Sequence, residues 1–192
     1  MNNTNIGDRV EKALNDYISE DITSALLNIF PILDLTAKKE YGGGVGSRIK
    51  SFLRKNEALI SYISTGLVIK LPTFINLSHD KPKKERFEDI IYDKIRNNIV
   101  HEGTVNEMIS FHNNNDLFIS PDRWGLNNNH VLAFILCVIL SEKNSDEFIK
   151  NNPDIKLRSG TFKINDLWGK RESFIKFIVF SENRGLKYED FN

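Results

Sequence analysis

Apolar residues recur along this chain with two distinct periods, and the longer one dominates. Val10, Leu14, Tyr17 and Ile18 repeat close to every 3.6 residues and predict a first helix. Asp21 is placed to cap a second, which carries Ile22, Ala25, Leu26, Ile29, Ile32, Leu33 and Leu35. Pro31 lies inside it, so a kink or a break just before the ring is expected. Gly42-Gly43-Gly44 must end that helix. Residues 47–70 form a third helical stretch with Ile49, Phe52, Leu53, Leu59, Ile60 and Ile63 on its apolar side. The segment LPTFINLSHDKPKKE, with two prolines, predicts a loop. It leads into FEDIIYDKIRNNIVHEG, a helix from about Phe87 to His101 that ends at Gly103.

The second half is more broken. EMISFHNNNDLFIS holds two short alternating pieces around an asparagine cluster and predicts a small β-hairpin. The triplet at 127–129 reads as a solvated loop before a buried helix at 130–142. That helix contains the longest apolar run, VLAFILCVIL, which is far too short to span a bilayer. DIKLRSGTFKIN predicts a second hairpin with Ser159-Gly160 at its turn. Asn165 or Asp166 is expected to cap a last helix running to about Glu182, ended by Gly185. The fold class expected is mainly α, a helical bundle with one or two minor β-hairpins. One domain is expected over 1–192, with a core of about 8–145 and a C-terminal hairpin and helix of about 146–192.

Composition narrows the function classes. The 192 residues carry 26 basic and 26 acidic side chains, so the chain is no general polyanion binder, and nucleic-acid contact would need a local patch. The single cysteine, Cys137, sits in the apolar run and reads as core, which fits a reducing cytosol. The N-terminal MNNTNIGDRVEK has no apolar signal segment, so a soluble cytoplasmic protein with no membrane association is expected. The glycine-rich GGGVGSR follows a helix and lacks the Gly-Lys-Ser/Thr of a phosphate loop, so it reads as a terminator and a turn.

The chemistry concentrates at residues 96–103, RNNIVHEG. On a helical wheel, Phe87, Ile91, Ile95 and Ile99 fall at about 180°, 220°, 260° and 300°, an apolar stripe. Arg96, Asn97 and His101 lie on the other side, with the apolar Val100 between them. Imidazole can take or give a proton near neutral pH. Guanidinium can hold two phosphate oxygens as a fork. The asparagine amide can orient the ring or donate to phosphate. Metal-free RNA cleavage needs such a base and such a cation. A histidine in a last helical turn is also what the helix dipole favours, so a purely structural role stays open. His79, His112 and His130 show no metal-ligand spacing, and neither a metal nor a cofactor is suggested.

At these residues the chain resembles the HEPN superfamily, whose hallmark is Arg, a polar residue, a short spacer and His at the end of a helix in a small bundle. Arg96, Asn97 and His101 match those positions. The helix order is similar too, with two helices upstream and a long hydrophobic one downstream. The resemblance is tight only over residues 87–103. It implies a homodimer in which the Arg and His of two chains face one another, acting as a metal-independent endoribonuclease in a toxin or phage-defence role. A co-encoded antitoxin or defence partner would go with that role. It equally admits a catalytically silent HEPN interaction module.

Further candidates for RNA contact are Lys83, Lys84 and Arg86, with Lys81, just before the motif helix, and Arg48 in the group Arg48, Lys50, Arg54 and Lys55. Nearby acids argue that both groups are instead solvated faces. Trp124 and Trp168 could stack on bases, but core packing is the plainer expectation.

Overall fold

The computed structural model describes residues 6–69, 74–76, 83–113, 118–119, 123–182 and 185–192. Helices α1 (Ile6–Ile18), α2 (Ile22–Glu40) and α3 (Val45–Thr65) come first. The motif helix, α4, is one rod of three parts: α-helical at Phe87–Ile90, π-helical at Ile91–Arg96 and α-helical again at Asn97–Glu102. Helices α5 (Asn129–Leu140) and α6 (Arg171–Glu182) complete the set among the described residues. The expectation of a mostly helical molecule with small sheets holds.

Helix α5 is the centre. All of His130 to Leu140 is buried, as a helix that is apolar all round must be. It packs against α1, α2, α3 and α6. Each fully buried leucine, isoleucine or phenylalanine there stabilises the fold by about 1.5–3 kcal/mol. Buried Asn144 closes the helix: its Nδ2 donates to Val138 O at 2.8 Å and to Thr36 Oγ1 at 2.9 Å, tying the end of α5 to α2. One apolar cluster runs from Ile6 to Phe191, so the C-terminal segment shares the core of the helices before it.

Several expectations need correction. Pro31 does not break α2, which continues through it to Glu40. Proline removes one backbone N–H, while Leu26, Ile29, Phe30, Ile32 and Leu33 on both sides are buried and hold the helix in place. Ile18 and Leu35, counted on apolar stripes, are exposed. The expected loop before the motif helix contains an antiparallel pair, β1 (Phe74–Asn76) with β2 (Lys83–Glu85).

The first hairpin is not one. Strands β3 (Ile109–His112) and β4 (Phe118–Ile119) do not pair with each other. Strand β5 (Trp124–Asn127) lies between them, parallel to β3 and antiparallel to β4. All four residues of β5 are buried, so it takes the central place and both neighbours use its edges. Asn127 is therefore no solvated loop residue. It is buried, its Nδ2 donating to Ser64 O at 2.8 Å, and the His130 ring lies against its two oxygens.

The second hairpin is present as β6 (Asp154–Leu157) and β7 (Gly160–Lys163), with Leu157 opposite Gly160. Helix α6 starts at Arg171, later than Asn165 or Asp166. Asn165 instead ties two segments together. Its Oδ1 accepts from Ile149 N and Trp168 Nε1, and its Nδ2 donates to Ile149 O. That bonding holds a short turn which buries Trp168 before the helix can begin. Trp124 and Cys137 are buried as well.

Candidate functional site

The motif helix owes its shape to its own apolar repeat. Phe87, Ile91, Ile95 and Ile99 recur every four residues, and all four are buried. On an ideal α-helix such a repeat drifts by about 40° per step, roughly 120° over the three steps. A π turn fits one extra residue into the winding and shifts the phase by about 100°, enough to cancel most of that drift. The π segment, with Asn97 N–H reaching Tyr92 O, lies in the middle of the stripe. Wheel positions before Ile91 therefore do not carry over to those after Arg96. Within Asn97–Glu102 the ordinary α phase holds.

The rod is fastened to α3 by three contacts in antiparallel order. Arg54 holds the buried Glu88 carboxylate through Nε at 2.8 Å and NH2 at 2.7 Å. Lys50 bridges Asp89 at 3.0 Å and Asp93 at 3.2 Å. Burial pulls the Lys50 ammonium down, but bonding to the two carboxylates outweighs it and holds the group above its usual range. The Tyr92 ring lies over Gly46, where a Cβ would stand 3.1 Å from Cζ. Positions 46, 50 and 54 repeat every four residues and so share one face of α3.

This arrangement decides the second basic group. Arg48 forks onto Asp34 of α2 at 2.7 and 2.9 Å, Lys55 pairs with Glu40 at 2.9 Å, and Lys50 and Arg54 serve α4. Arg48 is thus paired inside the protein, whereas the Arg54 and Lys55 side chains, each bound to an acid, stay 54% and 46% exposed. Arg86 is exposed, 3.8 Å from Glu88 Oε1. Lys83 and Lys84 lie on β2. Lys81 and His79 fall outside the described residues.

Arg96 and Asn97 are brought together directly. Arg96 NH1 donates to Asn97 Oδ1 at 3.0 Å, and its guanidinium lies 5.5 Å from the centre of the Tyr92 ring. Lys50 Nζ stands 5.1 Å from the same ring. Tyr92 was not legible as a site residue, though its place four before Arg96 is the spacing that lets a helical ring and a cation meet. Both Arg96 and Asn97 are half-buried. The Asn97 amide N–H groups make no bond among the described residues and remain as donors.

His101 stands one turn beyond Asn97, about 6 Å along the axis. It is exposed, in the last turn before Gly103, whose φ of 71° forms the left-handed cap with its N–H on Ile99 O. Val100 beside it is 42% exposed. The result is a polar edge of one fixed guanidinium, one amide whose N–H groups have no partner among the described residues, and one exposed imidazole around an apolar side chain. Among the described residues no group of three or more His, Cys, Asp or Glu could hold a metal. No described helix is long and apolar enough to cross a membrane.

No curated protein and no solved structure matches this chain. A family model does, over nearly the whole length that builds the core and the motif helix: residues 5–191 match that of Rv1289, and the chain belongs to the Rv1289 family.

Proposed function

We propose that the chain is a metal-independent endoribonuclease of the HEPN type, cytoplasmic, acting as a homodimer in a toxin or phage-defence role. The observation that carries the reading is the polar edge of α4: Arg96 held by Asn97, with an exposed His101 one turn on and exposed Val100 among them. One chain offers one imidazole. Two chains related by a two-fold axis through Val100 would offer two imidazoles and two guanidinium groups to one phosphate.

In that arrangement His101 accepts the proton of a ribose 2′-hydroxyl, and the 2′-oxygen attacks the neighbouring phosphorus. The bond from phosphorus to the 5′-oxygen breaks as His101 of the partner subunit gives that oxygen a proton. Arg96 and the Asn97 amide stabilise the charge on the non-bridging oxygens. The products are a 2′,3′-cyclic phosphate and a 5′-hydroxyl. DNA has no attacking hydroxyl and would not be cut.

The test is mixed RNA incubated with protein in EDTA, beside Arg96→Ala, His101→Ala and Val100→Lys. Wild type should cut, both alanine variants should lose cutting by a factor of roughly 100 or more, and Val100→Lys should lose cutting and dimer together. If no RNA is cut, alone or with a co-encoded partner, or if the alanine variants cut as wild type does, the nuclease reading fails.

A second reading has its own support. The Arg96 guanidinium is already occupied by Asn97 and Tyr92, and the basic group on α3 is spent on internal acids. A catalytically silent HEPN interaction module would keep those ties for stability alone. In that case Arg96→Ala lowers the melting temperature, and no variant changes any RNA.

A further inference from the structure

Arg96 carries its charge among neutral partners. Its NH1 donates to Asn97 Oδ1 at 3.0 Å, and its guanidinium lies 5.5 Å from the centre of the Tyr92 ring. No acid pairs with it among the described residues, although α4 itself contains Glu88, Asp89, Asp93 and Glu102. Each of these acids is held elsewhere. Arg54 of α3 grips Glu88 at 2.7 and 2.8 Å. Lys50, also of α3, bridges Asp89 at 3.0 Å and Asp93 at 3.2 Å. Glu102 accepts from Asn98 Nδ2 at 3.3 Å.

Asp93 is the acid that matters to Arg96. It stands three residues before it on the same helix, a spacing at which a carboxylate and a guanidinium can pair. Its side chain is 53% exposed, against 4% for Glu88, so it can swing unless something holds it. Asp89 lies seven residues before Arg96, two turns or about 10 Å away along the axis. Lys50 draws Asp93 toward α3. The π turn helps: with Asn97 N–H on Tyr92 O, Arg96 and Asn97 both stand about one turn above Tyr92, and the wider winding carries Asp93 round the helix from Arg96. A guanidinium in an ion pair must break it before it can meet a phosphate oxygen. One held by an amide oxygen and a ring keeps its charge for an incoming anion. The Lys50 bridge also fastens α4 to α3, which needs no ligand. The two roles differ in the acid they use, since fastening uses both aspartates and sparing Arg96 uses Asp93 alone.

We propose that Lys50 is a positioning residue for the polar edge of α4: by holding Asp93 against α3 it keeps Arg96 free of an internal counter-ion and ready for a phosphate oxygen of an RNA strand. The proposal rests on the reading of that edge as a place where RNA phosphate binds, and it does not depend on cleavage.

A 2′-O-methyl RNA hexamer, which has no attacking hydroxyl and cannot be cut, is titrated into the full chain at low, constant ionic strength while the Arg96 Nε–H NMR signal is followed. Wild type should show a saturable shift. Lys50→Met should weaken binding by a factor of roughly 3–5, the size of one exposed ion pair. Adding Asp93→Asn to Lys50→Met should restore most of the loss, and adding Asp89→Asn instead should not. Both double variants lose the same bridge and carry the same net charge, so a loosened α4 or a changed overall field moves them alike. Melting temperatures recorded beside the titrations measure that loosening. The inference is overturned if the hexamer leaves the Arg96 signal unshifted, if Lys50→Met binds as wild type does, or if Asp89→Asn restores binding as well as Asp93→Asn does. A protein that binds the hexamer through Arg96 in this pattern and cuts no RNA keeps the inference and loses the nuclease. One that cuts RNA, and binds and cuts equally well with Lys50→Met, keeps the nuclease and loses the inference.

Discussion

Lowering the pH from 7.5 to 5.0 should weaken this fold through the buried His130. The ring is 3% exposed, with Nδ1 3.1 Å from both Asn127 O and Asn127 Oδ1. Two oxygen acceptors at Nδ1 place the neutral ring's proton there. A second proton must then go on Nε2 of a buried ring packed 6.4 Å from that of Phe87, in a pocket it shares with Ile60 and Ile69 and with the polar Glu57, Ser61 and Thr65. Burial therefore pushes the imidazole down from 6.5 to about 4, helped by the nearby His112 and opposed by the Asn127 carbonyl. The unfolded chain binds the proton at higher pH than the folded one does. The neutral ring's contribution is thus complete above pH 6.5 and is lost as pH falls toward 4. The whole shift is worth about 3 kcal/mol, of which roughly 2 kcal/mol disappears between pH 7.5 and 5.0. For a urea slope of about 2 kcal/mol/M, the midpoint should drop by about 1 M over that range. Urea unfolding of wild type and His130→Gln at several pH values measures it, since the carboxylates contribute equally to both proteins and cancel. A difference that stays flat across the range, or an NMR titration placing the His130 pKa at 6 or above, would refute the reasoning.

Ile95→Ala should cost about 2–5 kcal/mol in chemical denaturation, because Ile95 is fully buried within the π segment and leaves a cavity. A loss below 1 kcal/mol would show that the stripe is not held against the core. Gly103→Ala should cost about 1–2 kcal/mol from the left-handed backbone alone, since nothing lies within 4 Å of the added methyl. Gly103→Asn should recover part of that loss, and equal melting temperatures for the alanine variant and wild type would count against this cap.

What the sequence determined by itself was local. The 3.6-residue repeats placed α1, α2 and α3, and the all-apolar run placed α5 at the centre, because a helix with no polar face has nowhere else to go. The span of the motif helix and its end at Gly103 were legible from the stripe and the glycine, whereas Asn97, expected to orient the imidazole or meet a phosphate, accepts a hydrogen bond from Arg96. Tertiary structure decided everything that depends on residues far apart. The basic run on α3 and the acids of α4 each looked like a solvated face, yet they face one another and cancel, a pairing that neither local pattern contains. Asn127 has the composition of a loop, but β5 draws it inside because Ser64 and His130 supply its hydrogen bonds there. The π turn lies between these two kinds of information. The strict four-residue repeat is written in the chain, but only packing against the core, which buries Phe87, Ile91, Ile95 and Ile99 together, makes the helix widen rather than let the stripe drift.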